Sequence, residues 1–314
     1  LPFEHVVVVM MENHSFDNAL GALPIYGQPL ADGLTFDGTA AQDTNPARTR
    51  PDGTVDRVRA FPLDKTEQEA HVSQSWNATH AQIAGGTMQG FVREAGSSQP
   101  MGYYTPKQLP FTYWMANKFA VANRWFCSAP CQTYPNRRFL MAGTAWGQIA
   151  TERPRGTDPP PPNGTIFDVL TEHQVSWRNY FTDIPSTMII PELFKRDWRA
   201  NVRPLAEFLN DCETDSLPSV SFVDPGLGLL TDVGKFLVQH DFLEDLGAAL
   251  EPLSGSEEAP QDVAFGERWA YDVIRRVISS PAWPRILLIY RSLSSRVRQF
   301  GLRFSVQPPR CRAC

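Results

Sequence analysis

No apolar run in this sequence approaches the roughly 18 residues a helix needs to cross a bilayer. The longest, Val6 to Met11, has the length of a buried strand. Cysteines number five, at 127, 131, 212, 311 and 314, an odd count and too few to staple a 314-residue chain. Cys127 and Cys131 can bond each other or Cys212 in an oxidising compartment. Cys311-Arg-Ala-Cys314 has redox or half-zinc-site spacing but no second pair beside it. No methionine opens the chain at Leu1, so a targeting segment was removed or never included, and location cannot be read from its absence. No internal repeat or heptad pattern is present, and no acidic residue follows Asp272.

That last absence splits the charge. Residues 1–272 carry 20 basic against 34 acidic side chains, whereas nine arginines and no acid lie between 273 and 314. A basic end of this kind commonly seeks an anionic partner. Yet Arg296, Arg298 and Arg303 form no amphipathic stripe and have no interleaved aromatics, which argues against nucleic acid. What remains describes a globular chain. With 42% hydrophobic and 20% charged residues it can bury a large core, as one large domain or two ordinary ones.

Three short, continuous, branched apolar runs read as strands buried on both faces: His5–Met11, Val220–Val223 and Ile286–Tyr290. Val175–Phe181 is a weaker fourth. Between them, helical patterns cover Leu109–Phe119, Pro135–Ala142, Thr165–Glu172, Pro204–Asn210 and Gly266–Ile278. Strands alternating with helices imply a layered α/β fold with a mostly parallel sheet. Residues 24–75 read as a long loop excursion, and Pro159 to Pro162 stiffen a connector.

Three motifs carry chemistry. Glu12-Asn13 directly follow the first strand, where open α/β sheets collect ligands, and offer one anionic and one amide oxygen to a divalent cation. Equally, they can cap the helix that Ser15 or Asp17 begins. In Gln132-Thr-Tyr-Pro-Asn-Arg-Arg138, Thr133 or Tyr134 falls at a helix N-cap, Pro135 in the first turn and Gly143 just past the end. A threonine hydroxyl there, facing a metal, can attack phosphorus while the helix start receives a phosphate, and Arg137 can pair with its oxygens. As plain structure, Thr133 is a favoured cap and the arginines are solvated. His71 and His80 bracket Trp76 and can donate to a phosphate or leaving group, or His80 is one residue of a helix packed through Trp76 and Ile83.

Taken in order, these stretches resemble the bacterial phospholipase C and acid phosphatase phosphoesterase family, whose plant relatives are the non-specific phospholipases C. The similarity runs through Glu12-Asn-His-Ser-Phe-Asp17, Ser75-Trp-Asn-Ala-Thr-His80, Met101-Gly-Tyr-Tyr104, Asn123-Arg-Trp-Phe-Cys-Ser128 and Gln132 to Arg138. It continues through Pro218 to Pro225 and Ser279-Ser-Pro-Ala-Trp283. The resemblance implies an alkaline-phosphatase-like α/β/α sandwich over residues 1–290, with the C-terminal part of the domain missing and 291–314 a divergent basic tail. It also implies metal-assisted phosphoester cleavage, Thr133 as nucleophile, and Glu12 and Asn13 as ligands of a divalent cation. Further expectations are a phospholipid or phosphate-ester substrate, peripheral membrane contact, no nucleic-acid partner, and a secreted or cell-surface bacterial protein.

The departures are equally specific. Where the family places an acidic Asp-Glu-His-Gly-Gly-type segment after its last strand, this chain reads Tyr290-Arg-Ser-Leu-Ser-Ser-Arg296. A family histidine is Ala259 here, another is Gln74, and Glu257, Glu258 or Asp224 would have to stand in as metal ligands. A strand that turns basic within one residue suggests a changed reading frame or an alternative terminus. Weak or lost activity is the corresponding expectation, with a catalytically inactive lipid- or phosphate-binding relative, or an acid phosphatase, as the alternatives.

Overall fold

A computed structural model describes residues 3–12, 14–27, 43–66, 72–122, 125–152, 154–155, 157–182, 184–190, 193, 200–224 and 263–293. They divide into two compact units, one of residues 1–13 with 131–294 and one centred on 14–130.

In chain order the strands are β1 (His5–Glu12), β2 (Thr44–Thr49), β3 (Val55–Arg59), β4 (Phe61–Pro62), β5 (Gly102–Tyr103), β6 (Trp177–Phe181), β7 (Val202–Pro204), β8 (Val220–Asp224) and β9 (Ile286–Leu293). The helices are α1 (Phe16–Leu20), α2 (Leu23–Tyr26), α3 (Trp76–Ile83), α4 (Phe91–Ala95), α5 (Pro110–Lys118), α6 (Thr133–Ala142), α7 (Ile166–Glu172), α8 (Leu205–Glu213) and α9 (Val263–Ser279).

The first unit is a five-stranded sheet in the order β7-β6-β8-β1-β9, with every neighbouring pair parallel. Its central strand shows why the apolar runs are continuous. Val8 and Met10 enter one buried cluster with Tyr134, Met141, Phe167, Trp177 and Phe222. Val7 and Val9 enter another with Tyr180, Phe208, Cys212, Val273 and Val277. Successive side chains point to opposite faces, so one strand needs apolar residues at every position. Helices α6 and α7 cover the first face, and α8 and α9 the second. This is the three-layer α/β/α sandwich that the sequence implies.

Several boundaries move by a few residues, two of them with consequences for the site. β9 runs three residues past Tyr290, pairing Met10 with Arg291, Met11 with Ser292 and Glu12 with Leu293, so the edge of the sheet crosses the expected start of the tail. β8 extends by one residue to Asp224, which takes a buried polar group to the carboxyl edge.

The second unit holds an antiparallel hairpin of β2 and β3 and a two-stranded parallel pair of β4 and β5. The hairpin lies within the segment read as a loop excursion, and corrects that reading. Its turn is Pro51-Asp52-Gly53, with Gly53 at φ +83° and Asp52 Oδ1 accepting from the Thr54 N–H at 2.9 Å. Burial along β3 alternates as a two-residue period requires. Asn45 stitches the hairpin to the following helices, its Nδ2 donating to Met88 O and its Oδ1 accepting from Val92 N–H.

Candidate active site

Thr133 opens α6, and the way that helix begins decides what Thr133 can do. The N-cap is Gln132, one residue earlier than the expected Thr133 or Tyr134, and its side chain makes no capping bond. Its amide oxygen is instead taken by the Thr151 N–H at 2.6 Å. No side-chain cap from Gln132 therefore covers the donors of the first turn, where partial positive charge gathers. Thr133, relieved of capping, is half-buried in the first turn. Asn136 reaches back from that turn, Nδ2 donating to Cys131 O at 3.0 Å and Gln132 O at 3.1 Å, and pins the approach to the helix. Gly143 ends it at φ +69°, as its place in the sequence predicts.

The helix is fixed to the sheet by charge. Arg137 Nη1 donates to Asp224 Oδ1 at 2.7 Å, and both side chains are 1% exposed. Asp224 Oδ2 accepts from Asn179 Nδ2 and from the Ser186 N–H, each at 2.7 Å, while Ser186 Oγ lies in short contact with both Arg137 and Asp224 Oδ1. Asn179 Oδ1 takes the Thr187 N–H and hydroxyl at 3.2 and 3.0 Å. Every lone pair of the carboxylate that geometry makes available is thus used, at the carboxyl end of β8.

Arg137, read from the sequence as a phosphate contact, is 1% exposed and bonded to Asp224 in this structure, and the Asp224 oxygens are held by Arg137, Asn179 and Ser186. Arg138 is not solvated either. It is 1% exposed, donates to Ile189 O and lies 5.5 Å from the Trp146 ring centroid, and burial pushes its pKa down.

Met141, one turn beyond Arg137, lies in the core cluster with Val8 and Phe222. The helix therefore runs from the carboxyl edge of the sheet back over its face. Four residues before Arg137, Thr133 stands about one turn, roughly 6 Å along the axis, nearer the start of the helix. The carboxyl edge is the side on which open α/β sheets bind ligands. β1 ends at the same edge with Glu12. Asn13, His71, Glu257, Glu258 and Ala259 lie outside the described residues.

The capping alternative for Glu12 and Asn13 falls away, because Ser15 caps α1 itself, its Oγ accepting from Asn18 N–H at 3.0 Å. His80, in the second unit, is a helical residue as the packed-helix reading has it. It is exposed, with Nδ1 bonded to Trp76 O at 2.7 Å and its ring 4.4 Å from that of Trp76. Among the described residues no three His, Cys, Asp or Glu side chains converge on a cation site. The described donors do not by themselves compose a metal centre.

The buried Arg137–Asp224–Asn179–Ser186 cluster was not legible in the sequence. Its one signal was an acid ending an apolar strand, Val220-Ser-Phe-Val-Asp224.

The model of the Phosphoesterase family matches residues 3–291. The chain is 29% identical to the non-specific phospholipase C1 of Arabidopsis thaliana over 306 residues, covering 92% of this chain and 51% of the relative. It is 29% identical to phospholipase C B of Mycobacterium tuberculosis over 75% of this chain and 52% of that one. The non-hemolytic phospholipase C of Pseudomonas aeruginosa is 26% identical, over 70% and 34%. The chain spans about half the length of the first two relatives, and a third of the last.

Proposed function

The chain belongs to the phosphoesterase family, and from that membership we propose that it cleaves a phosphate ester, a phospholipid headgroup bond or a close analogue, through Thr133. The observation that carries the reading is the placement of Thr133 in the first turn of a helix whose N-cap residue, Gln132, makes no side-chain capping bond, with the helix tied to the sheet by Arg137 and Asp224.

The chemistry uses the chain's own groups. Thr133 Oγ attacks phosphorus, the bond from phosphorus to the leaving oxygen breaks, and that oxygen takes up a proton. Water then attacks the phosphothreonine, releasing the phosphate product and restoring the hydroxyl. The N–H groups and dipole of α6 favour the negative phosphoryl group. Glu12 and Asn13 would hold a divalent cation in this proposal, which would supply positive charge to offset the phosphoryl charge. His71 and His80 are proposed as phosphate or leaving-group contacts, and contact with a membrane at the cell surface or outside the cell as the setting. Arg137 is a positioning residue.

Purified protein, supplied with divalent metals and p-nitrophenylphosphorylcholine, tests it. Thr133→Ala is expected to lower turnover at least about a thousandfold and to abolish a trapped phosphoprotein, while Thr133→Ser keeps part of both. Turnover that survives Thr133→Ala removes the nucleophile. The second reading, an inactive lipid or phosphate binder, is favoured by the engagement of Asp224 with Arg137, Asn179 and Ser186. Phosphate or vesicle binding without turnover, together with no heat on metal titration, would establish it.

A further inference from the structure

Helix α5 turns the wrong kind of face outward. Tyr113, Met115 and Ala116 point inward, with the Tyr113 hydroxyl donating to Tyr104 O at 3.0 Å, which fixes the helix's rotation within its unit. The exposed residues of the helix are Pro110, Trp114 and Lys118, with Phe111 half-buried beside Trp114, where an ordinary surface helix carries mostly charged and polar side chains. Trp114 is 43% exposed and Phe119 42% exposed. Their rings are organised: Phe111 stacks on Trp114 at 5.7 Å and 20°, and Phe119 meets Trp114 edge-on at 5.9 Å.

Charge along this stretch of chain has one sign. Lys107 and Lys118, both exposed, flank α5, and no aspartate or glutamate occurs from residue 95 to 151. The rest of the chain up to residue 272 is strongly acidic, so this segment is a local exception. Charges act within a Debye length of roughly 8–10 Å, so a bound surface senses the two lysines rather than the net charge. Tryptophan and phenylalanine beside lysine suit a boundary where an apolar body sinks among acyl chains while ammonium groups meet phosphates.

We propose that the Phe111–Trp114–Phe119 face of α5, with Lys107 and Lys118, is the surface by which this protein docks on an anionic phospholipid bilayer. In choosing lipid over a protein partner the proposal rests on the phosphoester reading above. The docking itself needs no turnover, and the test keeps the two apart.

Sedimentation with vesicles of phosphatidylcholine containing phosphatidylglycerol is the assay, on the full chain and on its Thr133→Ala variant. Both are expected to bind, more tightly with phosphatidylglycerol than with phosphatidylcholine alone, and less tightly as salt is raised. Trp114 emission is expected to shift to shorter wavelength, and Trp114→Ala to weaken binding about tenfold. Lys107→Gln and Lys118→Gln are each expected to weaken it about fivefold. Trp114→Phe should restore most of the loss, and unchanged melting of each variant excludes misfolding. Failure of both proteins to sediment overturns the proposal, as does binding indifferent to Trp114→Ala and both lysine variants. Self-association of the free chain that Trp114→Ala abolishes also overturns it, in favour of a second copy as occupant. If the vesicles bind but nothing is hydrolysed, the docking surface stands and the enzymatic reading fails.

Discussion

Replacing Asp224 by alanine tests how Thr133 is held. The substitution takes from Arg137 a carboxylate partner at 2.7 Å and strips the acceptor from Asn179 Nδ2 and from the Ser186 N–H, all in a region only a few per cent exposed. Breaking a buried pair from one side leaves an uncompensated charge, at a cost of about 3–5 kcal/mol. In a unit of this size each kcal/mol shifts the melting temperature by about 2–4 °C. The expected fall is therefore roughly 6–20 °C. The double variant Arg137→Met with Asp224→Leu removes both charges and leaves shape, so it should recover most of the loss, since such pairs contribute little net stability. Equilibrium unfolding in urea gives the numbers. Hydrolysis by the stabilised double variant then asks whether α6 is still correctly seated, and a fall in turnover with normal stability identifies Arg137 as positioning. If Asp224→Ala melts within about 2 °C of the parent, a shift under 1 kcal/mol, the pair is not the staple described and the placement of Thr133 must be fixed otherwise.

Other outcomes follow from single sites. A β-carbon on Gly90 would lie 1.8 Å from Ala81 O and 2.8 Å from its carbonyl carbon, both backbone, so Gly90→Ala should destabilise the second unit by about 2 kcal/mol or more by thermal melting. Burial pushes the Cys212 thiol up to about 12 and also raises Tyr180, so the unfolded chain gives up these protons first. That stability is full below the unfolded thiol's value of about 8.5 and is lost as pH rises toward 12. Urea midpoints measured from pH 7 to 11 should fall, and Cys212→Ala should flatten the onset; a flat profile in the parent would refute this. Chelation should abolish turnover, with activity restored by a divalent ion, and Glu12→Gln should weaken ion binding by calorimetry at least tenfold.

The sheet was legible chiefly because its central strand is apolar at every position from Val6 to Met11. Val6 to Met11 can be satisfied only between two layers, and the two core clusters show both sides of that requirement. The hairpin escaped for a physical reason. Val55-Asp-Arg-Val-Arg59 alternates over only five residues and faces largely outward, so apolar content gave no signal and only Pro51-Asp52-Gly53 marked the turn. β7, three residues ending in Pro204, has no period to read.

The site was legible in part, and its illegible part concerns distance along the chain. Proline at 135 and glycine at 143 announce a helix locally, but what caps it is settled by Thr151, and what fixes it by Asp224, 87 residues beyond Arg137. A local reading therefore gave Arg137 the role its chemistry permits, phosphate binding, rather than the one its rotation on α6 imposes. The same rotation separates two functions along one face of the helix. Arg137 is committed to the protein through Asp224, while Thr133 lies one turn nearer the start of the helix. An Arg137→Lys variant isolates the distinction. A shorter-reaching point charge cannot match the arginine's paired contacts to Asp224 and Ser186. It should lower stability and reduce turnover, with little change in KM. A phosphate-binding arginine would instead raise KM while leaving stability nearly untouched, and that result would return Arg137 to the substrate.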